Sequence, residues 1–186
     1  MQSGIVSRKN VERVAAHIVA NELEFHGFRV TDLNKGGVSE NADLLAARDG
    51  KCLQIQVKGA SQRKNNMGWE DWWVQYGYAN ADTVAKKKPV FNQVSGFYRA
   101  DIVVLVAVRT PTEYCCVVLP VAEAEKAAQI NLDRDYRTTT LKGTSREPHM
   151  IQVWLDRIPK FKNPARSPLL AQELKILNAY RDKWHL

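Results

Sequence analysis

Ala42-Asp43-Leu44-Leu45-Ala46-Ala47-Arg48-Asp49-Gly50-Lys51-Cys52-Leu53-Gln54-Ile55-Gln56-Val57-Lys58 decides the reading of this chain. Residues 42–48 and 52–58 are two β-like runs, and Asp49-Gly50 between them is a strong two-residue hairpin signal. In the second run Leu53, Ile55 and Val57 alternate with Gln54, Gln56 and Lys58, so one face is apolar and the other polar. With Asp49 and Gly50 as the turn, Arg48 lies opposite Lys51, 45 opposite 54, and Asp43 opposite Gln56. Directly opposed residues share a face, with Cβ atoms about 5 Å apart. Asp43, Gln56 and Lys58 therefore project together, while Leu44, Leu53, Ile55 and Val57 pack behind them. A carboxylate, an amide oxygen and an ammonium side by side suit a hard cation and an activated water.

Outward from the hairpin, Val11, Val14, Ala15, Ile18, Val19 and Leu23 recur at helical spacing, which predicts an amphipathic helix over 10–26. Ser7 or Asn10 can cap its start and Gly27 can end it. Phe28-Arg29-Val30 reads as a short strand. Ile102–Val108 is short, continuous and β-branched, as expected of a strand buried on both faces. Cys115–Leu119 is the next strand, stopped by Pro120. Residues 121–130 are helix-like, and Met150–Leu155 is a further strand. Ser167 and Pro168 start a last helix, whose apolar face is Leu170, Leu174, Leu177 and Trp184. The expected fold is a mixed α/β domain around a central sheet. One domain spans 1–186, with its core at about 10–155 and a basic connector plus C-terminal helix over 156–186.

The chain has 186 residues, 45% hydrophobic and 25% charged, which excludes wholesale disorder. Its longest apolar run, Ile102–Val108, is far short of the ~20 residues a membrane helix needs, and residues 1–9 lack a signal-peptide core. Three cysteines, two of them adjacent, show no metal spacing and suggest a reducing cytoplasm. The net charge is +7. Residues 51–100 carry 8 basic and 3 acidic groups, and residues 151–186 carry 7 and 3. A surplus focused on two segments suggests a polyanionic partner. The bland alternative is a solvated basic surface.

Ala42-Asp43, a hairpin, then Gln56-Val57-Lys58 resembles the PD-(D/E)xK nuclease superfamily, whose pattern is Asp on one strand and Glu-x-Lys on the next, after a helix that often supplies a Glu. The resemblance covers roughly residues 10–120. It implies a restriction-endonuclease-like fold, a mixed central β-sheet flanked by helices. It implies hydrolysis of DNA phosphodiesters with Mg²⁺, Mn²⁺ being a substitute, and often a homodimer. Asp43 would be the main metal ligand, Gln56 a neutral ligand through its amide oxygen, and Lys58 the group that orients water or stabilises charge. Ala42 stands in place of the family's proline and Gln56 in place of its acid. Gln56 brings no charge, so it holds a metal less tightly. The helix Glu maps to Glu12, as a catalytic outer acid or ligand, with Glu22 the rival. Glu22 falls within the apolar stripe, between Ile18 and Phe25, where a carboxylate must be paired, protonated or at a site. Glu40 reads as a loop residue.

Arg63, Lys64, Lys86, Lys87 and Lys88 are candidates for phosphate contact, with Trp72, Trp73 and Tyr76 among them as bases' stacking partners or simply core. The four histidines have no ligand spacing and read as surface or capping residues. No Gly-rich phosphate loop or Gly-x-Ser-x-Gly is present. Two further readings stay beside the nuclease: a non-catalytic nucleic-acid-binding module on the same fold, and an interaction domain with a fortuitous motif.

Overall fold

A computed structural model describes residues 8–34, 42–61, 63–64, 70–71, 73–79, 100–110, 112–137, 149–155 and 166–186. Helix α1 (Arg8–Phe25) leads into β1 (Arg29–Asp32), β2 (Leu44–Arg48) and β3 (Lys51–Ser61). Two short strands, β4 (Arg63–Lys64) and β5 (Glu70–Asp71), precede β6 (Trp73–Ala79). Then come β7 (Ile102–Thr110), β8 (Glu113–Pro120), α2 (Val121–Arg137), β9 (His149–Trp154) and α3 (Arg166–Ala179). The main sheet has the order β1-β2-β3-β7-β8, and β4-β5 and β6-β9 form two small ribbons. All main-sheet pairs are antiparallel except β3–β7, which is parallel. The fold is thus α/β, with a five-stranded mixed sheet and helices on both faces.

The hairpin forms as its sequence dictates. Asp49 and Gly50 both have positive φ, 52° and 77°, as a type I′ turn requires. The register runs from Arg48↔Lys51 to Leu44↔Ile55. A one-residue slip would expose Leu44, Ile55 and Val57, each of which contributes roughly 1.5–3 kcal/mol by burial. The end of α1 is also set locally. Gly27 adopts φ 84°, its N–H reaches Glu24 O and the Phe28 N–H reaches Leu23 O, both at 3.0 Å, which is the Schellman pattern. His26 Nδ1 adds a bond to Glu22 O at 2.8 Å, the capping role expected of a histidine here.

Alternate residues of β7 serve two cores, which is why the strand reads as continuously apolar. Val103, Leu105 and Ala107 pack with α2 and α3, while Ile102, Val104, Val106 and Val108 join Ala15, Ile18, Val19 and Leu23 of α1. Asp101 starts the parallel pairing. Its carboxylate accepts the Gln54 N–H, its N–H donates to Gln54 O, and its own carbonyl accepts from Val121 at the head of α2. Between α2 and α3, Arg134 and Glu173 form a fully buried ion pair, to which Asn131 Nδ2 donates at 2.8 Å.

Several elements differ from the sequence reading. β3 continues through Gly59 to Ser61, and α2 extends to Arg137. Helix α3 starts at Arg166, so Pro168 lies within the first turn, where a missing N–H costs nothing. Phe25, at the border of the α1 stripe, is 86% exposed. Trp184 does not belong to the α3 face, because the helix ends at Ala179. Tyr180 O then accepts from Val118 N–H and Asp182 N–H donates to Cys116 O, both at 3.0 Å, so the chain takes up the open edge of β8. Asp182, at φ 51°, turns it onward, and Trp184 is buried with α1 on the opposite core. Leu170, Leu177 and Trp184 are all buried, so the core reaches past residue 155. No helix among the described residues is long and apolar enough to cross a membrane. Cys52, Cys115 and Cys116 are all reduced.

Gly59 is the contact that seats α1. A Cβ built there would lie 2.5 Å from Ala15 Cβ and 3.2 Å from Val11 O. Gly59→Ala is therefore expected to cost about 1–3 kcal/mol of unfolding free energy by overpacking, measured by urea denaturation. A loss below about 0.5 kcal/mol would show that α1 is not held at this distance.

Candidate functional site

Asp43 sits one residue before β2, at the open end of the hairpin. Its N–H donates to Ile55 O at 2.8 Å and its carbonyl accepts from Leu33 N–H at 3.0 Å, so its backbone is locked between β3 and the end of β1. The side chain faces Gln56 as the turn register demands. Gln56 Nε2 donates to Asp43 Oδ2 at 2.5 Å, and the Val57 N–H donates to the same oxygen at 2.7 Å. Asn34 Nδ2 donates to the other oxygen, Oδ1, at 3.1 Å. An ionised carboxylate only accepts, so the Gln56 atom against it is the NH₂ group, and the amide oxygen is left for another partner. Gln56 is 6% exposed, whereas Asp43 is half-buried.

Lys58 lies two residues beyond Gln56 on β3 and is half-buried. Its parallel partner is Leu105 and that of Gln56 is Val103, both residues of the α2–α3 core. Gly59, between Lys58 and Ala60, faces α1 instead. Asp43, Gln56 and Lys58 thus share the sheet face opposite α1.

The two helix carboxylates are separated by this geometry. Glu12 is exposed and follows Val11, whose carbonyl oxygen lies against Gly59, one residue past Lys58. It therefore belongs to the part of α1 that crosses β3 beside the site, but on the other face of the sheet. Glu22 is half-buried and accepts the Tyr114 hydroxyl at 2.6 Å. The Glu22 carboxylate, with help from burial, pushes the Tyr114 hydroxyl up to about 12. A carboxylate in the apolar stripe had to be paired, and Tyr114 of β8 is its partner.

Arg63 and Lys64 form β4, where Arg63 lies opposite Asp71 and Lys64 opposite Glu70 in backbone register. Lys86, Lys87, Lys88, Glu40 and Trp72 lie outside the described residues. Among the described residues, no three His, Cys, Asp or Glu side chains converge as a metal site. Asp43 with the Gln56 amide oxygen is a hard donor set that fits Mg²⁺. Sequence reasoning missed Asn34. It stands nine residues before Asp43 in a turn, and only its polar character after a short strand hinted at a role.

No protein-family model matches the chain, and no curated protein matches it. Among solved structures it is similar to that of a bacterial homing endonuclease, I-Ssp6803I, with 16% identity, 96% of this chain and 91% of that chain covered, and a TM-score of 0.48.

The Asp43–Gln56 contact yields a direct test. Gln56→Glu sets two carboxylates against each other, and without metal such a pair resists double ionisation. An acid whose pKa is raised by folding loses stability as pH climbs above its unfolded value. The variant should match wild type near pH 3 in EDTA and fall behind by more than about 1 kcal/mol at pH 8. Urea midpoints that show no pH-dependent gap would separate the two side chains in solution.

Proposed function

We propose that this protein is a metal-dependent endonuclease of restriction-endonuclease-like fold that hydrolyses DNA phosphodiester bonds. The observation that carries the reading is the Asp43 carboxylate held across the hairpin mouth by Gln56, with Lys58 on the same face. These are the three residues of the Asp…Gln-x-Lys pattern, with Asp43 and Gln56 in direct contact. Asp43 and the Gln56 amide oxygen would hold Mg²⁺, or Mn²⁺ in its place. A bound ion of this kind polarises a phosphoryl oxygen and makes a bound water more acidic. Lys58 orients the attacking water and offsets the negative charge that develops on phosphate. Glu12, exposed on α1 across the sheet from Lys58, is left out of this set. Arg63, Lys64, Lys86, Lys87 and Lys88 neutralise backbone phosphates, giving binding that weakens as salt rises. A cytoplasmic homodimer would suit two cuts in two strands.

A second reading is favoured by a specific feature. Gln56 puts an amide where the family's pattern has an acid, and its nitrogen already satisfies the Asp43 carboxylate without a cation. A non-catalytic nucleic-acid-binding module on the same fold would look like this.

Incubation with supercoiled, linear, single-stranded and branched DNA, in Mg²⁺ or Mn²⁺, separates the two. The nuclease reading expects cleavage by wild type, loss of cleavage to background in Asp43→Ala with DNA binding retained, and a drop of about 100-fold or more in Lys58→Ala. Salt-dependent binding with no cleavage of any form by wild type supports the module. Absence of binding at low salt rejects both.

A further inference from the structure

Asn34 has no place in the Asp…Gln-x-Lys pattern, yet it supplies one of the three hydrogen bonds on the Asp43 carboxylate. A carboxylate offers about four lone-pair positions, two on each oxygen. Oδ2 receives two donors, Gln56 Nε2 at 2.5 Å and Val57 N–H at 2.7 Å. Oδ1 receives one, Asn34 Nδ2 at 3.1 Å. Among the described residues, the position left over is on Oδ1. Resting on the metal-dependent reading above, we infer that Asn34 is a positioning residue that fixes the Asp43 carboxylate plane and leaves a single Oδ1 lone pair for a divalent cation.

The Asn34 amide is itself delivered by fixed backbone. The β1–β2 ladder ends at Asp32↔Leu44 and is prolonged by Leu33 N–H to Asp43 O at 3.0 Å. Asp32 Oδ1 then accepts the Asn34 N–H at 2.9 Å, an Asx-type turn that holds residue 34 beside residue 43. The terminal torsion of an aspartate is soft, with no sharp staggered wells. Donors on Oδ2 alone anchor one oxygen and leave the plane able to rock. A donor on each oxygen removes that freedom before any cation arrives. Outer partners of this kind orient metal-binding carboxylates, and their loss typically weakens metal affinity by about 10–100-fold. Asn34 is exposed, so the lower end of that range applies.

The test uses the full chain and two probes. Mn²⁺ titration followed by electron paramagnetic resonance should show Asn34→Ala binding about tenfold more weakly than wild type. Its Tm should stay within about 2 °C of wild type, since an exposed side chain in a turn contributes little to folding. In wild type, Mg²⁺ titration followed by ¹H–¹⁵N spectra should shift the Asn34 side-chain amide with the same midpoint as that of Gln56. An Asn34→Ala affinity within about twofold of wild type overturns the positioning role and leaves Asp43 as the ligand. A weaker affinity matched by a large fall in Tm assigns Asn34 to folding and overturns it too. Should Asn34→Ala fail to fold, the wild-type amide decides, and an Asn34 signal unmoved at saturation overturns the inference. No Mn²⁺ binding by wild type at millimolar concentration removes the metal-dependent reading itself.

Discussion

Two residues with positive φ, Asp49 and Gly50, set the constraint on which the rest of the molecule depends. A two-residue reversal of this hand leaves β2 and β3 one register, and that register puts Asp43 opposite Gln56. The same choice sends Ile55 and Val57 into the core under α1 and Gln56 and Lys58 to the other face. A slip by one residue would exchange the two sets. The burial energy of the apolar set therefore also holds the polar set in place. The carboxylate is presented by a register that hydrophobic packing enforces.

The remaining architecture braces that hairpin from three sides. Helix α1 is drawn onto β3 at Gly59, where the absence of a side chain lets Val11 and Ala15 approach closely. Parallel pairing with β7, started by Asp101, buries the far side of β3 in a strand that feeds both cores. At the turn end, Arg48 stacks over Phe28 at 4.1 Å and donates to His26 O and Leu186 O, tying the hairpin to the end of α1 and to the C-terminal residues. Trp184 and His26 stack beside them. None of these contacts touches Asp43, but together they leave β2 and β3 little freedom to shift.

Local signals were legible in the sequence and long-range ones were not. The hairpin register, the Gly27 end of α1 and the two-faced burial of β7 each rest on residues near one another in the chain, and each formed as expected. Helical spacing places Trp184 on the face of α3, but the helix ends at Ala179, and nothing local reveals that Tyr180 and Asp182 bond to the edge of β8. Phe25, at the border of the helical stripe, is exposed. At the site, Asp43 and Gln56 came together from turn geometry alone. Asn34 escaped notice because its contact with Asp43 depends on β1 pairing with β2, a register that four residues of mixed polarity do not announce. The partner of Glu22 was not legible either, because Tyr114 lies 92 residues away along the chain.

The chemistry proposed for the site turns on the Asp43 carboxylate, to which Gln56 and Asn34 donate as neutral amides. Gln56 meets the Asp43 carboxylate as a neutral donor, and the proposed cation would gain its charge attraction from Asp43 and none from Gln56. Crystals grown with Mn²⁺ and examined by anomalous scattering test this directly. The account predicts a peak at Asp43 Oδ1 with the Gln56 amide oxygen beside it. A peak bound elsewhere on the protein, or no peak at Asp43 when Mn²⁺ is present at millimolar concentration, would contradict it.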